Sequence, residues 1–210
     1  MPATDDSTIV LVRHIPTKLN AAGVSRSWMR VGPDPEELEK QAPAIAKVLT
    51  GLGVSKLRSS DLPRASKTAD AIGDEMGIDN EPTFDLRTWE TGQGGKKDSE
   101  TLPIRQKYMK YPEEKPPGGE PFDDFLNRSR SEFGKAQKYN AQNPDKPMAL
   151  VVHGHQMMSA ESMVSGEPVD PKNLTTFEKD YPPGSVSLLH VRGGKAELER
   201  IHPATNKKEQ

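Results

Sequence analysis

Two short apolar runs constrain this chain most: residues 8–12 (TIVLV) and residues 148–152 (MALVV). Neither alternates polar with apolar, so neither can be a strand with one wet face. An unbroken aliphatic run of strand length belongs to a strand covered on both sides, which is the situation of a parallel sheet packed between helices. Each run ends in the same way, on a histidine: Arg13-His14 after the first and His153-Gly154-His155 after the second.

The segments between the runs supply the helices such a sheet requires. Residues 35–52 (PEELEKQAPAIAKVLTGL) place Leu38, Ala42, Ile45, Val48 or Leu49, and Leu52 at helical spacing, with acids in the first turn and Gly53 as the stop; Pro43 kinks this helix or begins its second part. Residues 56–59 (KLRS) form a short strand. A helix then begins at Asp61, with Leu62-Pro63 at its start, Ala65, Thr68, Ala69, Ile72 and Met76 along one face and Gly77 at its end. Residues 122–143 are an amphipathic helix burying Phe122, Phe125, Leu126, Phe133 and Ala136. Residues 186–191 (VSLLHV) and 196–201 (AELERI) flank a Gly-Gly turn and form a hairpin. Strand and helix alternate, so the expected fold is an α/β three-layer sandwich, a mostly parallel central sheet flanked by helices.

One stretch does not fit the alternation. Residues 91–121 are rich in Gly, Pro, Lys and Glu and form a long surface excursion, a lid with one short helix at residues 102–111. The expected organisation is therefore a polar tail at 1–7, a single domain at 8–204 carrying the 91–121 insertion, and a polar tail at 205–210.

Composition narrows the chemistry. Among 210 residues there is no cysteine, which removes disulfides, thiolate nucleophiles and zinc-thiolate sites. The 29 Lys and Arg nearly balance the 31 Asp and Glu, for a net charge of −2, so the chain lacks the basic excess of a general nucleic-acid binder. No stretch approaches the length of an apolar membrane span, and residues 1–7 (MPATDDS) are unlike a secretory signal. The expectation is a soluble cytoplasmic protein that contacts neither nucleic acid nor membrane. Oligomeric state is not readable.

In α/β folds of this kind, chemistry gathers outside the carboxyl ends of the strands. Arg13, His14, His153 and Gly154 fall there, and Arg64 lies a few residues after the second strand, in the first turn of its helix. Taken singly, each has a bland reading: a capping histidine, a solvated arginine. Together two guanidiniums, two imidazoles and helix N-terminal amides describe an anion site matched to the oxygens of a phosphoryl group. Neither GxxxxGK[ST] nor GxGxxG occurs to compete for phosphate.

These residues also carry a resemblance. LVRHIPTKLN resembles the LVRHGETxxN signature of the histidine phosphatase superfamily, in its phosphoglycerate-mutase-like branch. SSDLPRASKTA, LRTWETG, GGEPFDDFLNR and LVVHGH follow in the family's order, from residue 10 to residue 155. The resemblance implies that His14 is a nucleophile forming a phosphohistidine. It implies that Arg13, Arg64 and His153 bind phosphoryl oxygens, that Gly154 joins them in binding the phosphate and that Asn20 and Thr17 add hydrogen bonds. No metal or cofactor is implied. A carboxyl group must protonate the leaving oxygen and later deprotonate water. The candidate is Glu90 in TWETG, with Asp85 more remote, because the family's acid register holds Thr88 here. Ile15-Pro16 replaces the family's Gly-Glu, removing an amide donor from the loop after the nucleophile.

The implied activity is that of a metal-independent phosphomonoesterase of histidine acid phosphatase type, taking a phosphorylated small molecule and releasing inorganic phosphate. A mutase-type phosphotransferase is the sibling alternative, although the Glu-Arg-His-Tyr-Gly segment of the family's mutases is absent. Two other readings stand beside it: a weakened member that only binds a phospho-ligand, and a metallohydrolase built on His14, His153, His155 and a carboxylate. Specificity is assigned to the excursion and to residues 25–32 (SRSWMRVG), where Arg26, Arg30, Lys96, Lys97 and Arg105 favour acidic substrates. Glu120 and Arg128 form a structural ion pair, His155, His190 and His202 are structural or peripheral, and Trp28 or Trp89 lines the pocket.

Overall fold

A computed structural model of the chain describes residues 6–172, 174 and 180–202. The expected terminal tail at 205–210 lies outside the described residues, as does most of the one at 1–7. The element order is β1 (Ser7–Arg13), α1 (Lys18–Ala21), α2 (Pro35–Gly51), β2 (Lys56–Ser60), α3 (Pro63–Met76), β3 (Asn80–Thr83), α4 (Asp98–Lys110), α5 (Phe122–Gln142), β4 (Met148–Val152), α6 (Gly154–Met158), α7 (Ala160–Ser165), β5 (Val186–Arg192) and β6 (Lys195–His202). The strands form one six-stranded sheet in the order β3-β2-β4-β1-β5-β6. β3, β2, β4 and β1 run parallel, and β5 pairs antiparallel with both β1 and β6.

The two apolar runs are the central pair of this sheet, with Val10 opposite Ala149 and Arg13 opposite Val152. Their unbroken aliphatic character has a direct cause, since successive side chains enter different cores. Ile9, Leu11, Leu150 and Val152 pack with Phe122, Phe125 and Phe133 of α5, while Val10, Val12, Ala149 and Val151 pack with Ile45 and Leu49 of α2 and Ala69 and Ile72 of α3. Burying a Leu, Ile or Val side chain on such a strand contributes roughly 1.5–3 kcal/mol, so a polar residue at any of these positions would disrupt one core or the other.

Helix boundaries follow their caps. Asp34 accepts from the Glu36 amide at the start of α2, Pro43 is accommodated inside that helix, and Gly77 closes α3 in the left-handed conformation at φ 67°. Two elements depart from the sequence expectation. β3 reads NEPT, unlike a strand, but it is the sheet edge, where the missing amide of Pro82 is tolerated. The excursion helix α4 begins at Asp98, four residues before the expected start. A bridge pairs Val24 with Lys97, and the Asp98 amide donates to Gly23 O at 2.8 Å, so tertiary pairing sets the first turn of α4. The hairpin, β2 and α5 agree with the sequence to within a residue or two. Among the described residues no helix is long and apolar enough to cross a membrane.

Candidate active site

The parallel register of β1 and β4 brings the two histidines together. The His14 amide donates to Val152 O at 3.0 Å, which places His14 and His153 side by side one residue past paired strand ends; their ring centroids are 5.2 Å apart. The other flank of β1 is tied down as well, because the Arg13 amide donates to Ser185 O and the Gly184 amide to the carbonyls of Arg13 and His14. The strand end therefore has little freedom to re-aim either side chain.

His14 is 2% exposed. Its Nδ1 lies 2.7 Å from its neighbour's carbonyl, Ile15 O. A carbonyl only accepts, so the hydrogen bond puts the proton on Nδ1 and leaves the Nε2 lone pair free of it. Burial, then the charges of Arg64 and Arg13, hold the His14 pKa well below the usual imidazole range, and the ring is neutral at pH 7. His153 is lowered in the same way by burial, then Arg64 and His14. Both His153 ring nitrogens are buried and find no hydrogen-bond partner among the described residues. Such an arrangement costs free energy unless a ligand completes it.

The two expected guanidiniums converge on the same place. Arg13 is 1% exposed and donates from Nη1 to Tyr181 O at 2.6 Å, and Gly154 makes room for it. A Cβ on Gly154 would lie 3.1 Å from Arg13 Nη2, so it is the missing side chain that lets the guanidinium lie this close to the backbone. Arg64, carried by the first turn of α3, donates to the carbonyls of Met29 and Ser27 at 3.0 and 2.7 Å, while its Nε has no hydrogen-bond partner among the described residues. Ser27 presents its carbonyl from a left-handed backbone at φ 40°. Burial and the nearby Arg26 bring the Arg64 pKa down to about 9, which still leaves it charged at neutral pH.

These residues line a cavity of about 260 Å³. Arg13, His14, Arg64, His153 and Gly154 are all part of it, as the sequence indicates. Ser25, Arg26 and Arg105 from the two expected specificity segments also reach it. The sequence reading misses Thr88, Asp98, Ser99 and Met158; Asp98 and Ser99 enter because α4 is clamped against residues 23–25, while Met158 is carried in by α6. His155, expected at the periphery, lines the cavity and holds the Thr88 hydroxyl 2.8 Å from its Nδ1.

Other expected residues are placed elsewhere. Thr17 and Asn20 do not line the cavity; they form a reciprocal capping box for α1, with Thr17 N donating to Asn20 Oδ1 at 2.9 Å and Asn20 N to Thr17 Oγ1 at 3.3 Å. Glu90 is also outside it. Its two carboxylate oxygens accept from the amides of Trp28 and Gly92, at 3.0 and 2.8 Å, so the turn consumes the group expected to move protons. Asp85, the remote candidate, is likewise absent from the cavity wall. Arg30, Lys96 and Lys97 are not cavity residues, and neither tryptophan is: Trp89 is fully buried against Phe122, and Trp28 donates its indole N–H to Thr88 O.

The Glu120–Arg128 pair matches its structural reading. Arg128 binds Glu120 and also donates to the carbonyls of Asp85, Arg87 and Thr88, fixing the backbone that carries Thr88 to the cavity. His190 lies between Thr8 and Glu199 on the terminal strands. Among the described residues no group of three or more His, Asp or Glu is placed to hold a metal ion.

Residues 9–203 match the profile of the histidine phosphatase superfamily, branch 1. The chain belongs to this superfamily. Glucosyl-3-phosphoglycerate phosphatase of Mycolicibacterium vanbaalenii is 30% identical over 174 residues, covering 77% of this chain and 76% of the relative. Among solved structures, a mycobacterial glucosyl-3-phosphoglycerate phosphatase in complex with VO3 superposes with a TM-score of 0.72 at 22% identity, over 92% of this chain and 97% of that one. A phosphoglycerate mutase from Bacillus anthracis gives 0.67 at 19% identity, over 94% of each chain. Both structural likenesses concern the fold: the superfamily member described here shares its α/β sandwich with a phosphatase and a mutase alike.

Proposed function

We propose that this protein is a phosphomonoesterase that works through a phosphohistidine on His14, without a metal or cofactor. The observation that carries the reading is the His14 ring: neutral, protonated on Nδ1 by its bond to Ile15 O, with Nε2 left as a nucleophile at the junction of two buried guanidiniums and His153. Phosphoryl transfer asks for positioning and charge stabilisation more than for elaborate covalent chemistry. Arg13 and Arg64 neutralise the non-bridging oxygens, and the unpartnered His153 nitrogens take a place beside them. In the first step the Nε2–P bond forms and the ester P–O bond breaks; in the second, water attacks phosphorus and the N–P bond breaks, releasing inorganic phosphate. Dividing the transfer this way replaces one difficult displacement by two easier ones.

For substrate we propose a small phosphorylated acid. Four arginines, Arg13, Arg26, Arg64 and Arg105, line the cavity against one carboxylate, Asp98. A wall this rich in guanidinium groups favours an anionic ligand, and a small molecule that carries a carboxylate beside its phosphoryl group suits it. The curated relative's name, which joins a sugar to phosphoglycerate, is in keeping with a substrate of this kind. Hydrolysis is preferred to mutase-type transfer because the excursion lacks the mutase segment noted in the sequence. Residues 91–121 act as the lid over it.

The test is hydrolysis of p-nitrophenyl phosphate and of 3-phosphoglycerate in the presence of EDTA, with alkaline quench and detection of an acid-labile, base-stable phosphoprotein. Phosphate release that survives EDTA, with a phosphohistidine lost in His14→Ala, supports the reading. Phosphate binding with no turnover on any ester would make the protein a phospho-ligand binder instead.

A further inference from the structure

Resting on the phosphohistidine reading, we propose that Asp98, on the first turn of α4, is the proton donor to the leaving oxygen and the base that activates water. A route that expels an alkoxide needs a group able to give up a proton beside the nucleophile. The described residues that line the cavity offer few. Guanidiniums keep their protons at neutral pH, and the hydroxyls of Ser25, Ser27, Thr88 and Ser99 do not titrate there. His14 is the nucleophile. His153 and His155 are held neutral by burial and by the arginines around them. Asp98 is the carboxyl group on the wall.

Its setting suits the task. The backbone of Asp98 is pinned, because its amide donates to Gly23 O and Lys97 pairs with Val24, so α4 presents the residue beside Ser25 and Arg26. Its carboxylate is 37% exposed and meets Arg105 Nη2 at 3.5 Å, a long contact that leaves its oxygens room for a substrate or water. The contrast with Glu90 is direct, since both Glu90 oxygens are occupied by backbone amides. The cycle balances. As His14 Nε2 bonds to phosphorus, the Asp98 proton passes to the departing ester oxygen and the alcohol leaves. As water then attacks phosphorus, Asp98 takes its proton, phosphate departs, and the protonated carboxyl is restored. Arg105 accompanies the carboxylate in the interval between the two steps.

The experiment compares kcat/KM for p-nitrophenyl phosphate, whose phenolate leaves without a proton, and for glycerol 3-phosphate, whose alkoxide does not. Wild type, Asp98→Asn, Asp98→Glu, Glu90→Gln and His155→Gln are measured, with phosphohistidine trapped by rapid quench and folding checked by thermal melt. Asp98→Asn is expected to lose roughly 10²–10⁴-fold on glycerol 3-phosphate and far less on the aryl ester, to accumulate phosphohistidine on the aryl ester, and to recover in part as Asp98→Glu. An equal loss on both esters, no loss on either, or a leaving-group dependence that appears in Glu90→Gln or His155→Gln instead would overturn the assignment. Turnover by wild type without a trapped phosphohistidine would overturn the parent reading and this one with it.

Discussion

The floor and the wall of the cavity are held in place by different kinds of interaction. On the floor, His14 and His153 leave adjacent parallel strands at paired positions, and Arg64 leaves the first turn of the next helix, so the sheet itself sets their spacing. The wall, from Thr88 to Arg105, has no strand under it. Arg128 and Gln156 grip the carbonyls at residues 85–88, Glu90 ties residue 28 to residue 92, and a short set of backbone hydrogen bonds joins residues 23–25 to residues 95–98. A floor of this kind tolerates little movement and suits chemistry common to many substrates. A wall made of separate loop contacts can be changed piece by piece, and it is the natural place for specificity and for a proton donor that shifts along the chain.

The largest predicted effects lie on the floor. His14→Ala removes the nucleophile and is expected to cost on the order of 10⁴–10⁶-fold in kcat on every phosphate ester, with the trapped phosphoprotein gone. Arg64→Lys keeps a charge and loses the planar fork, which at present is held by Met29 O and Ser27 O. A fall of roughly 10²–10³-fold in kcat/KM on aryl and alkyl esters alike is expected, the uniformity being the signature of a phosphoryl contact. A loss confined to one leaving group would move Arg64 from floor to wall in this account.

Legibility in the sequence follows the same division. Residues 8–12 and 148–152 announce doubly buried strands, and whatever comes next in the chain must stand at the rim; His14 and His153 are readable for that reason. Arg64 is readable because Pro63 and the Ala65, Thr68, Ala69, Ile72 spacing fix its turn. Nothing local tells where Glu90 points. Its orientation is decided by an amide 62 residues away, and the start of α4 by a bridge to Val24. Thr17 and Asn20 are read in sequence as phosphate contacts, and in the structure they form the capping box of α1. β3 is hidden because an edge strand can be polar and hold a proline.

On the wall, Arg128→Met is expected to act through structure. It breaks the pair with Glu120 and leaves the carbonyls of Asp85, Arg87 and Thr88 without their donor. Because the pair is partly exposed, a loss of about 1–3 kcal/mol in a denaturant titration is anticipated, short of the full cost of breaking a buried pair. A raised KM with a smaller change in kcat would accompany it. No change in stability would show that Gln156 suffices to hold the carbonyls of Leu86 and Arg87.

A pH titration probes the floor again, with a smaller effect. His14, His153 and His155 all have folded-state pKa values well below 6.5, caused chiefly by burial and secondarily by arginines. Below pH 6.5 the unfolded chain takes up protons that the folded protein refuses, so stability rises with pH in this window and falls as the solution is acidified through it. Each histidine contributes up to about 1 kcal/mol per pH unit until its folded pKa is reached. The acidic limb of kcat/KM should lie below the ordinary imidazole range for the same reason. Phosphate, by bringing negative charge to the arginines, should reduce the acid sensitivity in a thermal melt.

The smallest effect separates the two regions most sharply. Glu90→Gln keeps the shape of the side chain but leaves one oxygen where two amides, those of Trp28 and Gly92, now donate to a carboxylate. One amide must turn to water or face an NH2 group. A destabilisation of about 1–2 kcal/mol is expected, measured by equilibrium unfolding, since hydrogen bonds to charged acceptors are stronger than neutral ones. Because Glu90 is not a cavity residue, kcat/KM on glycerol 3-phosphate should follow the small change in stability and show no dependence on leaving group. A large, leaving-group-dependent loss in a well-folded Glu90→Gln protein would mean that the turn opens during catalysis and releases the carboxylate toward His14, and the wall would then hold its acid in reserve at residue 90 instead of presenting it at residue 98.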